Sequence, residues 1–163
     1  MPASIFLQEL IAETLATRLA LVHGDYSPKN VLIESGRVIL LDHEVIHFGD
    51  PSFDLGFALT HLLSKANHVV ARRELFLTAA NWFWESYSKA GGPMAALPGL
   101  ESRAVRHTLA CLLARVDGRS PLEYLSEDER ARQRAVALAL MQRPPARVPE
   151  LVASFAELLE SPR

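Results

Sequence analysis

The sequence predicts a mainly α domain with one small β-hairpin, an α+β fold. Three observations carry that expectation. Apolar residues recur at helical spacing from Phe53 almost to the C-terminus. Two short β-branched runs flank a Ser35-Gly36 turn. Two polar loops rich in Gly, Asp, Asn and Pro bracket that hairpin.

In chain order, Ser4 to Leu19 places Phe6, Leu7, Leu10, Ile11, Leu15 and Leu19 at helical spacing, with Glu and Arg on the other face. Ala20 to Asn30 reads as a loop. Asn30–Glu34 and Arg37–Leu41 read as the two strands of the hairpin, and Asp42 to Ser52 as a second loop. Helices are expected near Asp54–Asn67, Val69–Ala90, Leu100–Val116, Glu127–Gln142 and Pro149–Glu160. The breaks fall at Gly91-Gly92-Pro93, at Asp117-Gly118 with Pro121, and at Pro144-Pro145. Ser126 with Glu129 forms the capping box that starts the fourth of these helices. No repeat and no low-complexity segment interrupts the pattern. One domain is expected over 1–163, with its loops and hairpin in 21–56 and a helical subdomain in 57–163.

Composition narrows the classes of function. A chain of 163 residues can bury a core of its own. A net charge of -2 supplies no basic surface for phosphate backbones, so no nucleic-acid partner is expected. The single cysteine, Cys111, cannot form an internal disulfide, which points to a reducing, cytoplasmic setting. Met1 to Leu10 lack a basic segment followed by an apolar core, so no signal peptide is expected. The longest apolar run, Ala135 to Met141, is too short to cross a bilayer, and no membrane partner is expected.

The chemistry-bearing residues lie in the two loops. The first is His23-Gly24-Asp25-Tyr26-Ser27-Pro28-Lys29-Asn30, and the second opens at Asp42. Phosphoryl transfer needs a carboxylate near an acceptor hydroxyl and oxygen ligands that hold Mg²⁺ on phosphates. Asp25 with Asn30 on one tight loop supplies a base and a metal ligand. A hairpin that folds back returns Asp42 to the neighbourhood of Asn30 as a second ligand. The plain alternative is that Asp25 and Asn30 only cap turns.

These residues carry a family resemblance. His23-Gly24-Asp25 through Asn30 resembles the catalytic loop of the aminoglycoside phosphotransferase and choline kinase families, distant relatives of protein kinases. Asp42-His43-Glu44 resembles their metal-binding triplet, and Gly49-Asp50-Pro51 through Asp54-Leu55-Gly56 the segment that follows it. The match runs over Leu21 to Gly56. Arg115-Val116-Asp117-Gly118-Arg119-Ser120-Pro121 is similar, less specifically, to a segment of bacterial members. The resemblance implies a protein-kinase-like large lobe, with ATP as co-substrate and Mg²⁺ as metal. It implies Asp25 as catalytic base, Asn30 and Asp42 as Mg²⁺ ligands, and Asp54 as a brace for the loop. Glu44 would lie near the acceptor pocket. The acceptor would be a small molecule with a hydroxyl, an amino sugar or an amino alcohol among the candidates.

Other readings stand beside these roles. Asp54 also reads as the N-cap of a helix beginning at Leu55. His23 reads as an orderer of the loop. Lys29 reads as a solvated lysine before it reads as a phosphate contact, and Ser27 is a further candidate contact. Phe76, Trp82, Phe83, Trp84 and Tyr87 read as core packing, one face of which could line an acceptor pocket. His61, His68 and His107 read as helix-surface or core histidines. The charges of Ser126 to Arg134 read as a solvated face with spaced ion pairs along the helix.

A rival motif overlaps the site. His43-Glu44-Val45-Ile46-His47 matches H-E-x-x-H, in which two histidines one helical turn apart bind zinc and the Glu activates water. Its context opposes that reading. A strand precedes it, Val45 and Ile46 are β-branched, and Phe48-Gly49-Asp50-Pro51 stops any helix at once.

Only Met1 to Val22 precede the catalytic loop, so the phosphate-covering lobe of such kinases is expected to be absent. A chain of this kind is expected to find that lobe elsewhere, to self-associate through apolar surface, or to act as a non-catalytic kinase-derived module or fragment.

Overall fold

The computed structural model describes residues 3–160. Its elements run α1 (Ala3–Ala16), β1 (Ala20–Val22), β2 (Val31–Glu34), β3 (Arg37–Leu40), β4 (His47–Gly49), α2 (Ser52–His68), α3 (Arg73–Ala90), α4 (Gly92–Ala95), α5 (Leu100–Asp117), α6 (Glu127–Gln142) and α7 (Val148–Glu160). The architecture is mainly helical with two small antiparallel sheets. Among the described residues no helix is long and apolar enough to cross a membrane.

The helices share one core. Phe6, Leu10, Leu59, Leu63, Leu109, Leu112, Met141, Leu151 and Phe155 are all buried in it, so α1, α2, α5, α6 and α7 each contribute a face. Gly56 lets α2 approach α5: a Cβ there would lie 2.5 Å from the Cβ of His107 and 2.8 Å from the Ala104 carbonyl oxygen. The capping box of α6 forms as expected. The Glu129 N–H donates to Ser126 Oγ at 3.3 Å, and the Ser126 N–H donates to Glu129 Oε2 at 2.8 Å.

The hairpin is also as expected. β2 pairs with β3 from Val31↔Leu40 to Glu34↔Arg37, and Ser35 and Gly36 both take positive φ, as a two-residue turn requires.

Several boundaries differ from expectation. The first helix stops at Ala16 rather than Leu19, because the chain turns there to pair: the Leu19 N–H donates to the Gly49 carbonyl at 2.9 Å, and β1 then pairs antiparallel with β4. Both strands lie in stretches expected to be loop. The helix expected over Val69–Ala90 begins only at Arg73, after a 3-10 turn over Val70–Arg72. The expected break at Gly91-Gly92-Pro93 contains the short α4. Two charges of α6 reach other elements: Glu129 meets His68 of α2, and Arg134 meets Asp117 at the end of α5.

Candidate active site

The first polar loop is held from three sides. From the second loop's far end, α2 begins at Ser52 rather than near Asp54. Pro51 presets the entry backbone, and Asp50 Oδ1 accepts the Ser52 N–H at 3.0 Å. Asp54 therefore lies in the first helical turn instead of at the cap position, which corrects the N-cap reading. Its carboxylate accepts the backbone N–H of His23 at 2.6 Å and of Gly24 at 3.0 Å. A carboxylate in the first turn also sits at the favourable end of the helix dipole.

Asp50 itself is buried, and its other oxygen pairs with Arg103 Nε of α5 at 3.0 Å. The sequence carried no signal for this partner. The pair ties the start of α2 to α5, and so ties Asp54 to the helical core.

His23 is buried and orders the loop through both ring nitrogens. Nδ1 accepts the Asp25 N–H at 3.3 Å, so the proton of the neutral ring sits on Nε2, which donates to the Leu41 carbonyl at 2.9 Å. Gly24 has φ +83, and a Cβ there would meet Val45 at 3.0 Å.

Asn30 closes the loop from its other end. Its Nδ2 donates to the Asp25 carbonyl and to Asp25 Oδ2, each at 2.9 Å. Lys29 Nζ meets the same Oδ2 at 3.0 Å, although its side chain is 66% exposed, so the lysine is both solvated and paired. Asp25 Oδ1 faces none of these donors. The Ser27 hydroxyl is buried with no hydrogen-bond partner.

The hairpin returns the second loop to the first. The Leu41 N–H donates to the Asn30 carbonyl at 2.9 Å, and Asp42 is the next residue, exposed and at φ +64. An aspartate tolerates that left-handed backbone better than a bulky residue would. The amide oxygen of Asn30 and the carboxylate of Asp42 are hard oxygen donors, a set that suits Mg²⁺ completed by water and phosphate. Glu44 lies in the exposed turn that follows.

The zinc reading does not survive. His43 to His47 form a turn running into β4, not a helix. The His43 ring bonds the Leu40 carbonyl at 2.6 Å and the His47 ring the Val45 carbonyl at 3.0 Å. No cluster of three or more His, Cys, Asp or Glu able to hold a metal occurs among the described residues.

Cavities flank the loop. One of about 500 Å³ is lined by His23, Tyr26, Asp54, Phe83 and Tyr87 among others. The aromatic stretch of α3 thus divides: Trp84 is core, Phe83 and Tyr87 line this cavity, and Trp82 faces solvent. Another, of about 490 Å³, lies beyond Lys29 between α2, α3 and the segment after α5.

This loop is clamped by a carboxylate from the following helix and joined through a hairpin to an acidic turn, the layout that the resemblance to phosphotransferases led us to expect. The family model described as the phosphotransferase enzyme family (APH) matches residues 3–89, more than half of the chain, and the chain belongs to that family. No curated protein matches it.

Proposed function

We propose that the chain is the kinase-like large lobe of an ATP-dependent phosphotransferase that acts on a hydroxyl of a small molecule. The observation that carries this reading is the setting of Asp25. Asn30 and Lys29 hold its Oδ2, while the backbone on its N-terminal side is fixed by Asp54. Oδ1 is left to accept the proton of an acceptor hydroxyl. The acceptor oxygen then bonds to the γ-phosphorus of ATP, the bond between that phosphorus and the β,γ-bridging oxygen breaks, and ADP leaves. Asn30 and Asp42 would hold Mg²⁺, which when bound offsets the charge of the phosphates. A chain with one cysteine suits the reducing cytoplasm.

The lobe that covers the nucleotide would pack on exposed apolar surface. Ile33 and Val38 of the hairpin are 73% and 66% exposed, and Leu41 beside Asp42 is exposed too. Self-association through this face is the alternative, and sedimentation of the purified chain separates the two.

Calorimetric titration with ATP, with and without Mg²⁺, tests the assignment. Mg²⁺-dependent binding that Asp42→Ala abolishes is the expected result. No binding, or equal binding by the variant, would overturn the metal site.

A further inference from the structure

Among the described residues, two that are not glycine take positive φ, Ser35 and Asp42. The hairpin turn accounts for Ser35. Asp42 lies beyond the hairpin, after β3 has ended at Leu40, and its φ is +64. A left-handed residue other than glycine is disfavoured by the contact of its Cβ with the backbone, and it persists where its surroundings hold it.

The chain leading into Asp42 is held at three atoms. The Leu41 N–H donates to the Asn30 carbonyl at 2.9 Å. The Leu41 carbonyl accepts from His23 Nε2 at 2.9 Å, and the Leu40 carbonyl accepts from His43 Nε2 at 2.6 Å. The two imidazoles stand side by side, with centroids 5.4 Å apart and planes at 49°. One ring comes from the loop of Asp25 and the other from the residue after Asp42, and they take consecutive carbonyls.

The three bonds fix different things. Those from Asn30 and His23 end on Leu41, upstream of Asp42, and leave its φ free. Of the three, only the His43 bond spans Asp42. It starts on residue 43 and ends on residue 40, so rotation about the Asp42 N–Cα bond would carry the ring off the Leu40 carbonyl. A carbonyl only accepts, so His43 Nε2 carries a proton, as it does in one neutral tautomer and in the charged ring alike. The bond is exposed to solvent, which confines it to a local role.

We propose that His43 is a positioning residue for the metal site: its bond to the Leu40 carbonyl holds Asp42 left-handed and so fixes where the Asp42 carboxylate stands relative to the Asn30 amide. The metal half of this statement rests on the phosphotransferase reading, and the hold on the backbone does not. His43 need touch neither metal nor substrate to act in this way.

The test uses the full chain without nucleotide and has two readouts. The first is the strong contact between the amide and Hα protons of one residue that marks positive φ in NMR spectra, expected at Asp42. The second is a titration with Mn²⁺, which takes the same oxygen ligands as Mg²⁺ and broadens nearby resonances, followed at the Asn30 and Asp42 amides. His43→Phe keeps a ring beside His23 but has no donor. It is expected to lose the Asp42 contact and to weaken Mn²⁺ binding about 3–10-fold, the worth of one hydrogen bond. His43→Gln puts an amide donor in the place of Nε2 and should restore both. A role in stability alone would lower Tm and move neither readout. Positive φ kept at Asp42 in His43→Phe, Mn²⁺ affinity unchanged by that substitution, or His43→Gln behaving as His43→Phe overturns the proposal. Wild-type chain in which Mn²⁺ broadens neither amide overturns the metal reading of Asn30 and Asp42, and the φ readout then still decides whether His43 holds the backbone.

Discussion

The carboxylate of Asp54 receives the backbone N–H of His23 at 2.6 Å, across 31 positions of sequence. One side chain in the first turn of α2 therefore fixes the entrance of the loop that carries Asp25. Hydrogen bonds to a charged group contribute about 1.5–3 kcal/mol each. Asp54→Ala removes two and is expected to destabilise the fold by roughly that amount or more, with faster amide exchange at Gly24. Asp54→Asn keeps one acceptor oxygen and should lie between. Thermal unfolding with hydrogen exchange checks both. Exchange at Gly24 unchanged in the alanine variant would remove Asp54 from the role.

Asp25→Asn preserves shape but removes the basic carboxylate. In an assembly with a nucleotide lobe, turnover is expected to fall by about 10²–10⁴, the usual worth of a positioned base. Mg²⁺-dependent ATP binding should remain near wild type, because Asn30 and Asp42 are untouched. Turnover unchanged in the variant would mean that another group takes the proton.

Gly56 sits where α2 and α5 nearly touch, and an added methyl would lie 2.5 Å from the Cβ of His107. No flexible side-chain tip is available to yield, since the other close atoms are the Ala104 carbonyl oxygen and the Thr108 nitrogen, at 2.8 and 2.9 Å. Gly56→Ala is expected to cost about 1–3 kcal/mol despite alanine's better helix propensity. In a domain of this size that lowers Tm by about 2–4 °C per kcal/mol, read by calorimetry.

The fold was legible where a period was long or a turn chemically explicit. Ser35-Gly36 between β-branched runs announced the hairpin, and Ser126 with Glu129 announced α6. β1 and β4 were not legible, because each has three residues. Leu19 and Leu21 also continue the apolar texture of α1, and β4 lies beyond the whole hairpin. Asp54 was legible as a functional position through its resemblance, but its capping and bracing roles could be separated only once Asp50 and Pro51 were seen to start the helix. The bond from His43 to Leu40 left no trace in the sequence. It depends on the left-handed backbone at Asp42, which no residue type there announces.

Acid should weaken the fold through His107. The ring is buried, packs edge-on against Phe53 and lies 3.3 Å from Thr14 Oγ1. Burial first, and then Arg106 and Arg103, depress it to about 4 from 6.5, with Asp50 opposing. The unfolded chain thus binds a proton below pH 6.5 that the folded chain refuses until about pH 4. Stability is full above 6.5 and is lost as the pH falls between those values, by at most a few kcal/mol. Urea midpoints across that range should decline in the wild type and decline less steeply in His107→Gln, the remainder coming from His61, which burial also lowers to about 4. An equal decline in the variant would place the acid sensitivity elsewhere.

Asp50 and Arg103 give the last prediction, because the pair is almost dry: its side chains are 0% and 12% exposed. Removing one member leaves the other charge without its partner, and breaking buried pairs of this kind costs about 3–5 kcal/mol. Arg103→Met is expected to fall in that range, since it leaves the Asp50 carboxylate buried with only the Ser52 N–H to its Oδ1. Asp50→Asn should cost less, because its amide keeps an oxygen for Ser52. The double variant should recover part of the loss of Arg103→Met, so the cycle reads as a positive coupling of the two sites. The loss should also reach the active site: with the start of α2 loosened, Asp54 should hold His23 less firmly, and Gly24 exchange should quicken in Arg103→Met. Additive single effects, or Gly24 exchange at the wild-type rate, would show that the pair only supports the core and does not position the loop.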